Sequence, residues 1–325
     1  MPEIFALAAD NLISPIVLSF ALGLAAALAR SDLSIPEAIA KGMSIYLLFA
    51  IGFKGGVSVA DHGIDATLGL SLAAGIVLSA ILPLVAFALL RVLSGMDRLN
   101  AAAVAGHYGS ISIVTFVAAT SALESSGIAA EGYMVAVAAA MEAPAILSAL
   151  WLVSRGEKDG RMDSGLWREI LLNGSIVLLI GAFLIGWVTG PEGLAEIDSF
   201  IVAPFKGVLC LFLLDMGLVA GRGMQKGRGA LGLGAVSFGV LMPVIGSGFG
   251  LAAALLLGLS SGGTVLLMVL SASASYIAVP AAMRVALPEA NPSVYLTLSL
   301  GVTFPFNLTL GIPFYIAIAQ MITGG

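Results

Sequence analysis

The chain has 325 residues, of which 59% are hydrophobic and only 10% are charged, and its mean hydropathy is +1.08. Soluble domains carry about 25% charged residues, so this composition excludes a soluble globular protein and indicates an integral membrane protein. The net charge of −5 excludes nothing, because in membrane proteins the placement of Lys and Arg is informative and their sum is not. The one cysteine, Cys210, excludes an intrachain disulfide and a cysteine metal cluster.

The first residues lack the basic region of a cleavable signal peptide, and Pro2, Glu3 and Asp10 do not fit one. We therefore expect the first apolar helix to be kept as a signal anchor. Ten apolar runs approach the length of about 20 residues that a helix needs to cross a bilayer. They lie at approximately 11–30, 35–53, 66–93, 99–122, 132–154, 167–189, 200–221, 229–258, 263–286 and 292–321.

Lys and Arg are distributed unequally between the two sides that ten spans create. The side that holds the N-terminus has only Lys54 and Lys206. The other side has Arg30, Lys41, Arg91, Arg98, Arg155, Lys158, Arg161, Arg168, Arg222, Lys226, Arg228 and Arg284. Because positively charged loops stay in the cytosol, we expect both termini on the outer side of the membrane. An odd number of spans would destroy this separation.

The two halves of the chain resemble each other when the sequence is shifted by 165 residues. The shift places Lys41-Gly42 on Lys206-Gly207, Gly52 on Gly217, Ser110 on Ser275, and Glu142 on Asn307. Since each half has five spans, an odd number, the halves must cross the membrane in opposite orientations. The sequence thus predicts an all-α integral membrane protein of ten transmembrane helices in two inverted five-helix repeats. The repeats are residues 1–155 and 166–325, and a cytosolic linker, 156–165, joins them.

Polar residues interrupt the fourth and ninth spans, from Gly106 to Ser112 and from Ser271 to Pro280. Paired interruptions at corresponding positions of two halves indicate the binding site of a membrane transporter, so we predict two broken helices that cross there. Each break would start a new half-helix, whose N-terminus carries roughly half a positive charge and attracts an anion. The predicted binding residues are Gly109, Ser110, Ile111, Ser112, Ser273, Ala274, Ser275 and Tyr276.

These residues suit a small monovalent oxyanion. Gly106 and Gly109 would let a ligand approach the backbone, and the serines would donate hydrogen bonds. Neither break has a Lys or Arg nearby, which a more highly charged anion would need. Gly, Ala and Ser also line ordinary interfaces between membrane helices, so close packing is the alternative explanation of both clusters.

Two acidic residues, Glu142 and Asp215, lie deep in predicted spans, where a carboxylate is expensive and indicates a functional site. Glu142 corresponds to Asn307 in the repeat, and we expect the two to supply oxygens to a coupling cation or to brace the broken helices. Asp215 has no polar counterpart and would pair with Lys206 or face the interface. His107 would be a proton relay or a hydrogen-bonded structural residue.

Four long segments resemble the sodium-dependent bicarbonate transporter family of SbtA-like permeases: IPEAIAKGMSIYLLFAIGFKGG (35–56), GSISIVTF (109–116), MEAPA (141–145) and MRVALPEANPS (283–293). The resemblance extends over nearly the whole chain. It implies a secondary transporter, not an enzyme, that imports bicarbonate by sodium symport. Bicarbonate would bind at the crossing of spans four and nine, with sodium nearby, so that Glu142 and Asn307 are the predicted sodium ligands. No other cofactor is implied.

The resemblance also implies a homotrimer that works by an elevator mechanism in a bacterial inner membrane. Spans one, two, six and seven would form its scaffold, and spans three to five and eight to ten its moving core. Lipid is the expected surrounding, and no nucleic acid partner is implied.

The chain departs from the cyanobacterial pattern at Tyr276, where that pattern has an Asp after the serine run, and in its shorter linker. Sodium as the coupling ion therefore stays open, as does another small anion such as a carboxylate. A cation–proton antiporter of related fold is a further alternative, which would need a carboxylate at the crossing itself. An intramembrane serine enzyme would need a base beside Ser110 or Ser275, where only His107 is near, and the chain has no HExxH motif.

Overall fold

The computed structural model describes residues 13–63, 66–154, 174–226, 231–276 and 289–324, together with 172, 279, 280, 283 and 287. The predicted linker, the N-terminal end of the first span and parts of the sixth and ninth spans lie outside the described residues. Within them the chain is helical and has no strand.

The described residues of the first half form seven helices. They are α1 (Pro15–Leu28), α2 (Glu37–His62), α3 (Ala66–Leu93), α4 (Arg98–His107), α5 (Ile113–Ser125), α6 (Met134–Ala140) and α7 (Glu142–Ser154). In the second half, the described residues form α8 (Gly174–Ile201), α9 (Phe205–Lys226), α10 (Leu233–Leu257) and α11 (Ser261–Ala272). It ends with α12 (Pro292–Leu298), α13 (Phe304–Phe306) and α14 (Ile312–Thr323), which are joined by π-helical turns at Ser299–Thr303 and Asn307–Gly311.

Seven helical runs in the described part of the chain are long and apolar enough to cross a membrane: Glu37–Asp61, Ala66–Leu93, Met134–Val153, Val177–Ile201, Phe205–Gln225, Leu233–Leu257 and Pro292–Thr323. Three shorter apolar helices, α1, α5 and α11, overlap the predicted first, fourth and ninth spans. The all-α membrane architecture is therefore confirmed, whereas the count of ten spans and the inverted repeat stay predictions.

The helices differ from the predicted spans in the second and fifth spans and agree with the predicted end of the sixth. The second span does not stop near residue 53, since α2 continues to His62, and its Lys54 pairs with Glu124 at 3.0 Å. The helix of the sixth span ends at the predicted residue 189, because Gly190 takes a non-helical conformation with a positive φ of 61°, and a further helical stretch follows it to Ile201. The fifth span is divided between α6 and α7, where Ser79 of α3 donates to the Met141 carbonyl at 2.5 Å.

Two long helix pairs form one side of the molecule: α1 packs along α9, and α2 packs along α8. Small residues let these backbones approach closely. An added Cβ at Gly52 would meet the Leu179 carbonyl oxygen of α8 at 2.6 Å, and one at Gly217 would collide with α1 at Phe20. The predicted repeat maps Gly52 onto Gly217, so the α2–α8 pair and the α1–α9 pair have their close contacts at corresponding glycines.

The interrupted spans lie inside the molecule. All residues of α4 from Ala101 to His107 are buried, as are all residues of α11 from Gly262 to Ala272. Helix α4 packs against α3, α7 and α12, while α11 packs against α5, α10 and α14. This packing keeps the polar residues at the ends of α4 and α11 away from lipid.

Candidate functional site

The first break separates α4 from α5. Tyr108 ends α4 with φ −92° and ψ 0°, and Ser112 starts α5 in an extended conformation with φ −97° and ψ 105°. The Ser112 hydroxyl accepts a hydrogen bond from the Thr115 amide at 3.3 Å, which is the usual role of a serine N-cap. The predicted break and the start of a new half-helix are thus present in the fourth span.

The glycines at this break accommodate neighbouring helices. A Cβ at Gly109 would collide with Pro83 of α3, and one at Gly106 would meet the Ala149 side chain of α7 at 2.8 Å. The space left by their missing side chains is filled by protein. Close packing therefore accounts for the two glycines, and the approach of a ligand to their backbone stays a prediction.

The second break follows α11. Ser273 is extended, with φ −86° and ψ 163°, and its hydroxyl donates to the Leu270 carbonyl at 3.1 Å. The Ser275 hydroxyl accepts from the Val279 amide at 3.4 Å, so Ser275 takes the capping role here. Residues 277–278 and 281–282 lie outside the described part, and the predicted second half-helix is therefore described only at Val279, Pro280 and Met283.

The two breaks are bonded directly to each other. The Ser112 amide donates to the Ser273 hydroxyl at 2.9 Å, and the Ser275 amide donates to the His107 carbonyl at 2.8 Å. The His107 ring adds a third bond, between Nδ1 and the Ser275 carbonyl at 2.6 Å. Since a carbonyl only accepts, Nδ1 must carry the proton. The structure thus brings the two predicted serine clusters into one crossing.

His107 is fully buried and stacks on the Tyr295 ring, with centroids 4.6 Å apart. Its Nε2 atom has no hydrogen-bond partner among the described residues. The predicted structural role is confirmed by these contacts, and the proton relay stays a prediction.

Glu142 lies at the first break. It is the first residue of α7, its side chain is 7% exposed, and its Oε2 accepts a hydrogen bond from the Ser110 hydroxyl. A hydroxyl that donates to a carboxylate cannot also donate to an anion, so the Ser110 oxygen offers its lone pairs to a ligand. The antiporter alternative needs a carboxylate at the crossing, and Glu142 supplies one, which sequence analysis had not placed there.

Asn307 lies at the second break and is fully buried in the turn between α13 and α14. Its amide nitrogen donates to the Ala272 carbonyl, the last of α11, at 2.9 Å, and its oxygen accepts from the Tyr315 hydroxyl at 2.9 Å. Glu142 and Asn307 therefore each brace one break. The described residues contain no group of three or more His, Cys, Asp or Glu that could hold a metal ion.

Several polar residues near the crossing were missed by sequence analysis. The Tyr108 hydroxyl bonds to Thr303 at 2.7 Å, and Thr303 donates to the Gly239 carbonyl at 2.6 Å. The oxygens of Thr115 and Ser271 are buried without a hydrogen-bond partner in the described part of the chain. A threonine in an apolar span gives little signal by itself, because it also bonds readily to its own helix.

Tyr276 lies at the inner end of a large cavity. The cavity has a volume of about 1070 Å³ and lies between α2, α9 and α12. Its lining includes Lys41 near the start of α2, Ser293 in α12 and, next to the second break, Tyr276 and Pro280. The Tyr276 hydroxyl is close to Ser112 and makes no hydrogen bond within the described residues. The cavity thus leads from one end of the molecule to the crossing.

Asp215, the second acidic residue deep in a predicted span, does not lie at either break. Asp215 of α9 is 8% exposed. Its predicted pairing with Lys206 was wrong: no salt bridge joins the two in the described residues, because they lie nine residues, or about 13 Å, apart along α9. The Lys206 ammonium instead donates to the Ser125 hydroxyl at 3.2 Å.

Comparison with family models gives a match to the Na⁺-dependent bicarbonate transporter superfamily over residues 15–320. Comparison with curated proteins gives no match. The matched range contains both breaks, Glu142, Asn307 and the cavity, and it leaves out only the ends of the chain. Together with the apolar helices, it shows that the chain belongs to the Na⁺-dependent bicarbonate transporter superfamily.

Proposed function

We propose that the protein is an elevator-type secondary transporter that imports bicarbonate by sodium symport. The observation that carries the proposal is the crossing, where two interrupted spans are bonded through Ser112, Ser273, His107 and Ser275. Broken helices that meet inside the membrane are the usual binding site of secondary transporters. Family membership supports sodium and bicarbonate as the ions.

The anion would bind at the start of α5. The first amides of a helix have no acceptor within it, and the amides of Ile113 and Val114 belong to this first turn. The helix dipole adds a contribution of up to about 2 kcal/mol when an anion is partly buried there. This arrangement suits a small oxyanion that is held by hydrogen bonds.

Sodium would bind beside Glu142, where the Ser110 oxygen and the carboxylate provide lone pairs. The unpartnered buried oxygens of Thr115 and Ser271 belong to the same two broken spans. A cation that moves with bicarbonate offsets the membrane potential, which opposes anion entry by about 2.3 kcal/mol per charge per 100 mV.

In the elevator cycle, α1, α2, α8 and α9 would be the scaffold and the remaining helices the moving core of a homotrimer. The cavity supports this division, because it lies between α2 and α9 on one side and α12 with the second break on the other. By the distribution of positive charge, the cavity would open to the cytosol and both termini would lie outside in an inner membrane.

The test is uptake of labelled bicarbonate into vesicles that contain the purified protein. We expect uptake to require an inward sodium gradient, with an equal potassium gradient as the control. Uptake that persists without sodium would refute the coupling but not the transport. A thermal-shift series with bicarbonate, acetate, pyruvate and malate, with and without sodium, would identify a carboxylate as the substrate instead.

One observation favours a second candidate, a cation–proton antiporter: Glu142 touches the first break. Glu142→Gln keeps an acceptor for Ser110 and removes the charge. If Glu142 is a sodium ligand, the Glu142→Gln variant should fold, but sodium should no longer stabilise it. The control Glu196→Gln, at an exposed position, should be stabilised by sodium as the wild type is. Sodium-driven proton efflux without bicarbonate, lost in Glu142→Gln, would establish the antiporter.

A further inference from the structure

Two lysines contact the C-terminal end of α5. The Lys54 ammonium of α2 lies 3.0 Å from the Glu124 carboxylate, and the Lys206 ammonium of α9 donates to the Ser125 hydroxyl at 3.2 Å. Glu124 and Ser125 are the last residues of α5, the half-helix that begins at the first break. The two lysines therefore fasten this half-helix to α2 and α9, the proposed scaffold helices.

The sequence carries partial counterparts of these contacts at the other end. The shift of 165 residues that relates the two halves places Lys41 on Lys206 and Glu124 on Glu289, whereas Lys54 corresponds to Val219 and Ser125 to Ala290. Lys206 reaches the residue next to Glu124, so by the repeat Lys41 would reach the residues at 289–290, where Glu289 is the only acidic side chain. Lys41 lies in the second turn of α2, about 20 Å along the helix from Lys54. Glu289 follows the second broken span as Glu124 ends the first.

Lys41 and Glu289 are not paired in the described residues. Lys41 is exposed and lines the cavity, and so do Pro292 and Ser293, which follow Glu289 closely. Glu289 is also exposed. Lysine contacts are thus present at the end of α5, and the Lys41–Glu289 pair is not formed at the end where the cavity lies.

We propose that Lys41 and Glu289 form a gate pair, which closes the cavity when the contacts of Lys54 and Lys206 with α5 separate. The inference rests on the proposed transport cycle and adds two residues to it. Closure would bring the loop before α12 against α2 and cover the path to Tyr276. An exposed ion pair shifts an equilibrium by no more than about fivefold, which suits a contact that must break in every cycle.

Exchanging the charges of the two residues tests the pair through the change in the apparent KM for bicarbonate. Lys41→Glu and Glu289→Lys should each raise the apparent KM for external bicarbonate by about two- to fivefold, because they lower the population whose site faces outward. The double variant Lys41→Glu/Glu289→Lys should restore it. Lys41→Glu/Glu37→Lys is the matched control, because Glu37 also lines the cavity one turn away and should not restore the KM. An unchanged KM in both single variants, or equal rescue by Glu37→Lys, would overturn the proposal.

Cross-linking tests the same pair without transport. In a Cys210→Ala background, Lys54→Cys/Glu124→Cys should react with a short bis-maleimide in the state described. Lys41→Cys/Glu289→Cys should react more when Lys54→Ala is added, and Lys41→Cys/Glu124→Cys should never react. If the gate cross-link forms but bicarbonate is not taken up, the gate stands and the proposed function fails. If uptake is normal and the gate cross-link never forms, the gate is wrong.

Discussion

At the scale of single residues, His107 joins the two broken spans through its backbone and its ring. Its carbonyl accepts from the Ser275 amide, and Nδ1 donates to the Ser275 carbonyl at 2.6 Å. Both backbone polar groups of the buried Ser275 are thereby satisfied by one residue. The ring also stacks on Tyr295, so its orientation is fixed from two directions.

The His107 contact predicts a ranking of substitutions. His107→Phe keeps a ring against Tyr295 but leaves the Ser275 carbonyl without its donor, which should cost about 1–2 kcal/mol of unfolding free energy. His107→Asn places an amide nitrogen where Nδ1 lies and should recover part of this loss. His107→Gln, whose nitrogen corresponds to Nε2, is the matched control and should not. Denaturant titration in detergent measures the order, and equal stability of the Asn and Gln variants would contradict it.

The sequence predicted where the spans break but not how the broken ends are held. The run from Gly106 to Ser112 and the serines up to Ser275 are visible because polar residues interrupt apolar helices. The contact between Glu142 and Ser110 depends on how α7 packs, which no local pattern contains. The repeat matched Asn307 to Glu142, and the structure places each at the break of its own half, in agreement with the predicted bracing role.

At the scale of helices, glycines decide how α2 packs on α8. Gly52 lies where an added Cβ would be 2.6 Å from the Leu179 carbonyl oxygen and 2.9 Å from the Ala182 Cβ. Gly42, on the same helix, has no atom within 4 Å of an added Cβ. The glycine pattern of α2 is thus a mixture of contact positions and free positions, which the sequence alone does not separate.

This difference predicts opposite effects of one substitution at two sites. Gly52→Ala should destabilise the protein by about 1–3 kcal/mol, because the backbones of α2 and α8 must move apart. Gly42→Ala should be neutral or stabilise by about 0.5–1 kcal/mol, since alanine favours the helix and meets nothing. Thermal melting of both variants in the same detergent compares them. A Gly52→Ala variant that melts at or above the wild-type temperature would show that the pair is packed differently.

Helix interruptions that lack a cluster of polar residues were not predicted from the sequence. The division between α6 and α7 falls in an alanine-rich run, and the two π-helical turns before and after α13 lie in an ordinary apolar span. Tertiary hydrogen bonds are found at these interruptions. The Ser79 hydroxyl donates to the Met141 carbonyl, and Asn307 donates to the Ala272 carbonyl and accepts from the Tyr315 hydroxyl. By contrast, the kink at Gly190 is readable, because Pro191 follows a glycine.

At the scale of the whole molecule, the two halves have related sequences but unequal surroundings. Ser44 of α2 lines the cavity, whereas Leu209 of α9, its counterpart at the shift of 165 residues, is fully buried. An alternating-access cycle requires two repeats of related sequence that lie in different environments, because the second state exchanges the environments of the two repeats.

This asymmetry can be tested by labelling single cysteines from either side of the membrane. In a Cys210→Ala background, Ser44→Cys should react with a membrane-impermeant maleimide in inside-out vesicles and not in intact cells, because the cavity is predicted to open to the cytosol. Leu209→Cys should be unreactive from both sides in the state described, and it should become reactive from outside when the opposite state is trapped. Labelling is measured by the mass shift of the purified protein. Reaction of Ser44→Cys only in intact cells would invert the predicted orientation, and equal reaction on both sides would mean that the cavity is not closed at its inner end by the crossing.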